Sequence, residues 1–139
     1  MKAKIKSFAE INIGDKASFR RLVSEEDLTK FAELSGDYNP LHMDEEYATK
    51  TEFGVRVVHG FLLGAWVSRL VGMELPGANA LLLKESLAFK KPVRIGDEIL
   101  IAGEVVCKSQ VGQLIELNIT INRQQEILVS GSVFVKVLK

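Results

Sequence analysis

The chain has 139 residues, 47% of them apolar, and its 18 basic side chains balance 18 acidic ones. That is enough apolar material for one domain with its own core, so residues 1–139 are expected to form a single unit. The balanced charge sets up no overall field toward nucleic acid or an anionic membrane surface, and neither is expected as a partner.

The one cysteine, Cys107, leaves no internal disulfide and suits a reducing cytoplasm, the expected location. The start, Met1 to Lys6, is basic but runs into Ser7, Glu10 and Asn12, so no signal peptide is expected. The longest apolar stretch, Phe61 to Met73, is broken by Ser68 and Arg69 and falls short of the roughly 20 residues a bilayer span needs.

In chain order, Lys16 to Ser24 carries Phe19, Leu22 and Val23 and reads as an opening strand. Ser24 with Glu25, Glu26 and Asp27 then has the makings of a capped helix start, acids lying near the positive end of the dipole. That helix should run to about Leu34, with Leu28, Phe31, Ala32 and Leu34 toward the core and Gly36 as its stop. Asp44 reads as the N-cap of a short helix through Tyr47 and Ala48. From Gly60 to Met73 the residues are apolar around most of the circumference, the pattern of an enclosed helix.

After Pro76-Gly77 the period changes to two. Ile115, Leu117, Ile119 and Ile121 alternate with Glu116, Asn118, Thr120 and Asn122, which predicts a strand with one buried face. The same alternation runs through Ile99, Ile101, Gly103, Val105 and Cys107, and again from Ile127 to Val137. Leu81 to Lys90 adds a further strand. One enclosed helix followed by four antiparallel strands, with a fifth before it, predicts an α+β domain in which a curved sheet wraps a central helix.

Between the first two helices lies Ser35-Gly36-Asp37-Tyr38-Asn39-Pro40-Leu41-His42. Gly36 frees the backbone, and Pro40 fixes φ while holding Asn39 away from helical geometry, so the bend should keep one shape. Asp37 and His42 are then placed to share a water or a substrate proton. Turn chemistry alone, an Asx turn leading into a capped helix, uses the same residue types.

The segment is similar to the signature of the MaoC-like hydratases, the (R)-specific enoyl-CoA hydratase branch of the hot-dog superfamily. The matching residues are Phe31-Ala32, Ser35-Gly36-Asp37, Asn39-Pro40, His42, Asp44, Tyr47-Ala48, Thr51, Phe53-Gly54 and His59-Gly60. A looser likeness continues through Leu87, Phe89, Pro92-Val93 and Gly96-Asp97. The resemblance implies the hot-dog fold, a homodimer whose sheets join along their edges, and reversible hydration of a trans-2-enoyl thioester to the (R)-3-hydroxyacyl product. Coenzyme A or acyl carrier protein would carry the acyl group, with no cofactor and no metal. Dehydration of a 3-hydroxyacyl-acyl-carrier-protein, thioester hydrolysis, and acyl binding without turnover are the alternatives.

By the same resemblance Asp37 and His42 handle water and proton. The enolate-like oxygen needs a donor, and the Gly60 N–H at the start of the enclosed helix is the physical candidate. Gly60, Gly64 and Ser68 recur on one stripe, read as the floor of an acyl tunnel, with Ser68 near the reacting end and Val71 further in; close packing of helix on sheet would use the same small residues. His59 is expected to anchor the loop rather than to react. A metal site built from His42, Asp44 and His59 is set aside because Asp44 is better used as a helix cap. Glu85 shares strand parity with Leu81, Leu83, Leu87 and Phe89, which calls for a bulge turning it outward, a dimer contact, or a polar cavity. Lys90, Lys91, Arg94 and Arg56 carry the charge to meet coenzyme A phosphates, but surface lysines near a strand end are usually only solvated, and no role is assigned to them.

Overall fold

The computed structural model describes residues 1–139. It contains β1 (Lys16–Leu22), α1 (Glu25–Ser35), α2 (Pro40–Met43), α3 (Glu45–Thr49), α4 (Gly60–Arg69), β2 (Ala80–Phe89), β3 (Glu98–Ser109), β4 (Leu114–Arg123) and β5 (Glu126–Val137). The five strands form one antiparallel sheet in the order β1-β3-β4-β5-β2, leaving β1 and β2 as its edges.

The alternation on β4 is observed as expected: Ile115, Leu117, Ile119 and Ile121 are buried. They meet Leu62, Leu63, Trp66 and Val67 of α4 within one apolar cluster that also takes in Ile99, Ile101 and Val105 of β3 and Val129, Val133 and Val135 of β5. Burying such a side chain stabilises the fold by about 1.5–3 kcal/mol, so this layer, not local helix propensity, holds α4 against the sheet. Close approach at the far end of the helix depends on Gly103, where a Cβ would stand 2.9 Å from Leu70 Cδ2.

α1 begins as read, with the Ser24 hydroxyl accepting from Asp27 N–H, and ends on Gly36 at φ 78°. Four expectations need correction. Leu34 is 87% exposed, because it falls on the opposite side of α1 from the buried Leu28 and Ala32. The α-helix stops at Arg69, and the chain continues as a π-helical turn over Leu70–Glu74. α4 is not covered all round either: Phe61, Ala65 and Ser68 form an exposed stripe. Finally, bulges break three of the strand alternations. One between Val105 and Cys107 puts Cys107 outside, one between Ile121 and Asn122 leaves Ile127 exposed and Leu128 buried, and one falls at Leu83.

The bulge at Leu83 settles where Glu85 points. Ahead of it Leu81 and Leu83 face outward; beyond it Glu85 pairs with Val133 and turns with Leu87 toward the helix side of the sheet. A bulge is present, but it turns the leucines out and the acid in.

Candidate active site

The bend between α1 and α3 is held by short-range hydrogen bonds that follow from its residue types. Asp37 N–H donates to Ser35 Oγ (3.1 Å), Asp37 Oδ1 accepts from Asn39 N–H (3.1 Å), and Asn39 Oδ1 accepts from Leu41 N–H (3.0 Å). These successive Asx turns end in α2, a single helical turn with Pro40 at its start and Asn39 as its cap. His42 therefore sits on a helical turn rather than on an open loop. Asp44 accepts from Tyr47 N–H (3.0 Å) as the cap of α3, the use read from the sequence.

His42 Nδ1 lies 2.6 Å from the Val57 carbonyl oxygen. A carbonyl only accepts, so Nδ1 carries the proton and Nε2 of the neutral ring offers a lone pair. The turn bearing His42 is tied from behind by Arg56, whose Nε donates to the His42 carbonyl (2.6 Å) and whose guanidinium pairs with Glu25 Oε1 (2.8 Å). Arg56 is 7% exposed, which removes it from the residues able to meet a soluble phosphate.

His59 is fully buried and donates from Nε2 to the Asp37 carbonyl (3.0 Å). Its ring stacks on His42 with centroids 4.1 Å apart, and Phe31 meets it edge-on. Burial pushes the His59 pKa below the usual imidazole value, so it serves as a neutral anchor for the loop. One donor atom from each of Asp37, His42 and His59 falls within 4.8 Å of the others. The acid near both rings is thus Asp37, not Asp44.

Three neighbouring cavities run along α4. The first, about 450 Å³, is lined by Asp37, Phe61, Gly64, Ser68 and Glu85 among others. A second, about 420 Å³, is lined by His42, Gly60, Phe89, Lys90 and Lys91 among others. Between them a space of about 170 Å³ shares Gly64 and Glu85 with the first and Gly60 and Phe89 with the second. Asp37 and His42 thus come together but open onto opposite ends of this run. The Phe89 ring leans on Gly60, where a Cβ would be 3.2 Å away, and the Gly60 N–H makes no hydrogen bond within the chain. Ser68 lines the Asp37 cavity. Val71 does not: it is 2% exposed in the core cluster, because the π-helical turn directs it toward the sheet. A larger groove of about 610 Å³ crosses β1, β3 and β4 but contains neither histidine nor Asp37.

Two contributors escaped the sequence. The Val57 carbonyl has no residue signature, and Arg56 gave no sign that it would be buried; its pairing with Glu25 ties the loop between α3 and α4 back to the start of α1.

A five-stranded antiparallel sheet wrapped around one helix is the hot-dog fold, and solved structures named as hydratases share it. An (R)-hydratase from A. caviae involved in PHA biosynthesis superposes with a TM-score of 0.87 at 35% identity, covering 91% of this chain and 97% of that one. An unliganded R-hydratase from Pseudomonas aeruginosa gives 0.91 at 32% identity, covering 97% and 87%.

The chain belongs to the MaoC-like domain family, whose model matches residues 8–126. It is 33% identical over 132 residues to a 3-hydroxybutyryl-CoA dehydratase of Methylorubrum extorquens, an alignment covering 95% of this chain and 84% of that protein.

Proposed function

We propose that this chain is an (R)-specific enoyl-CoA hydratase, adding water reversibly to a trans-2-enoyl-CoA to give the (R)-3-hydroxyacyl-CoA. The observation that carries the reading is the Val57 carbonyl on His42 Nδ1, which leaves Nε2 as the free base, on a ring with a nitrogen within 4.8 Å of an Asp37 carboxylate oxygen. A water held between the two loses a proton to His42 Nε2 as its oxygen attacks the β carbon. Asp37 accepts the water's other hydrogen bond and keeps it aimed. The proton then passes to the α carbon as the enolate collapses, so the sum is one water across one double bond. The unpartnered Gly60 N–H meets the thioester oxygen as its charge grows. Run backward, the same groups carry out dehydration, which matches the name of the Methylorubrum relative.

Ser68 borders the acyl group in this reading, and Lys90 and Lys91, beside the His42 cavity, face the carrier end. The reaction as written calls on no metal and no cofactor beyond the thioester. We take residues 1–139 as one domain that works as a homodimer: the outer edge of β2 is unpaired, it carries exposed Leu81 and Leu83, and Phe61 is 84% exposed nearby on α4. No helix is long and apolar enough to cross a membrane, and a cytoplasmic setting suits an acyl-CoA substrate.

The test is loss of the conjugated enoyl absorbance from crotonyl-CoA with chiral analysis of the product. Accumulation of the (R)-3-hydroxy thioester is expected. Free thiol release instead would make the chain a thioesterase, and light scattering that gives a monomer at working concentration would remove the dimer.

A further inference from the structure

Glu85 is the polar group near the site that the chemistry above leaves unused. It lines both the Asp37 cavity and the narrow space behind Gly60. Its Oε2 would stand 2.8 Å from a Cβ at Gly64, so the carboxyl lies against the bare backbone of α4. Its Oε1 is buried and has no hydrogen-bond partner. The neighbours that share these cavities, Phe61, Gly64, Ser68 and Leu87, bring no basic group, and burial pushes the carboxyl pKa upward.

A buried carboxyl without a partner is costly unless water reaches it. A short acyl group reacting beside Asp37 leaves that water in place. A longer apolar chain laid along the cavity removes the water and supplies no hydrogen bond in return. We propose that Glu85 is a specificity-determining residue that turns the site toward short acyl groups, by penalising methylenes that pass over its unpartnered carboxyl group. The inference rests on the thioester reading given above.

Binding of the non-reacting thioesters butyryl-CoA and octanoyl-CoA to the full chain, followed by calorimetry, tests it apart from turnover. In a wholly apolar cavity each added methylene tightens binding about fourfold, so octanoyl-CoA would gain more than about a hundredfold over butyryl-CoA. The unaltered chain is expected to show a gain below about tenfold. Glu85→Leu should raise octanoyl preference by at least about tenfold, whereas Glu85→Gln, still polar and unpaired, should stay within about threefold of the unaltered ratio. A full methylene gain in the unaltered chain overturns the proposal, as does an unchanged ratio in folded Glu85→Leu. If Glu85→Leu does not fold, the unaltered ratio alone decides. A chain that shows this preference yet hydrates no enoyl thioester keeps the specificity role and loses the hydratase reading. One that hydrates crotonyl-CoA with a full methylene gain does the reverse, and one that binds neither thioester loses both.

Discussion

The bend from Ser35 to Asp44 and the edge strand β2 border the same cavity, and they treat their polar side chains in opposite ways. In the bend Ser35, Asp37, Asn39, His42 and Asp44 each have a partner. On β2, Glu85 keeps a buried oxygen with none. On the proposed reading, the groups that react are held in place before any substrate arrives, while the wall of the acyl space is left to respond to what enters it.

The largest effect that would break this contrast is in the bend. Asp37→Asn and His42→Ala should each lower kcat by about 10²- to 10⁴-fold with an unchanged far-ultraviolet spectrum, as expected for loss of a positioned acid or base. Near-normal turnover in either folded variant would remove the pair from the chemistry.

Next in size is a matched pair of glycine substitutions around β2. A Cβ at Gly131 would fall 1.9 Å from the Ser86 carbonyl oxygen, backbone against backbone, whereas at Gly64 its one close approach, 2.8 Å, is to the far end of the Glu85 side chain. Gly131→Ala should cost about 3 kcal/mol in urea unfolding and Gly64→Ala less than about 1 kcal/mol. Equal losses would mean that Glu85 is as rigidly held as the bend.

His59→Phe keeps an aromatic ring against His42 but loses the bond to the Asp37 carbonyl, at a cost of about 1 kcal/mol in stability. The His59 pKa is lower in the folded chain than in the unfolded one, so the unfolded state takes up the proton first. Stability is therefore lost as pH falls through the ordinary imidazole range near 6.5. That part of the pH dependence should be absent from thermal melts of His59→Phe.

The smallest effect concerns Glu85, whose pKa is raised on folding. Its contribution is intact below the ordinary carboxylate range and is lost as pH rises through the folded value. Glu85→Gln should melt higher than the unaltered chain at neutral pH, and the two should converge toward about pH 4. A constant difference across that range would assign the effect to packing rather than charge.

Features governed by local chemistry were legible in the sequence. Ser24 and Asp27 announce the start of α1, Gly36 its end, and the alternation from Ile115 to Asn122 a half-buried strand. The bend was legible for the same reason, since Asp, Asn and Pro dictate its turns within a few residues. What escaped depends on partners distant in the chain. A bulge at Leu83 is defined only by its register against β5, the π-helical turn by packing beneath β3, and the tautomer of His42 by a backbone carbonyl from another loop. Val71 was misplaced because helical periodicity was carried past Arg69, where the period changes.

The kink at Leu83 also bears on how this chain avoids uncontrolled self-assembly. Until a second copy covers β2, a sheet margin with two outward leucines is a template on which a stray extended segment can dock, and then another upon it. The extra residue interrupts the run of unsatisfied amides and carbonyls midway along β2, so a flat intruder matches it on one side of the kink only. Fibre growth from that margin is blunted by one additional amino acid.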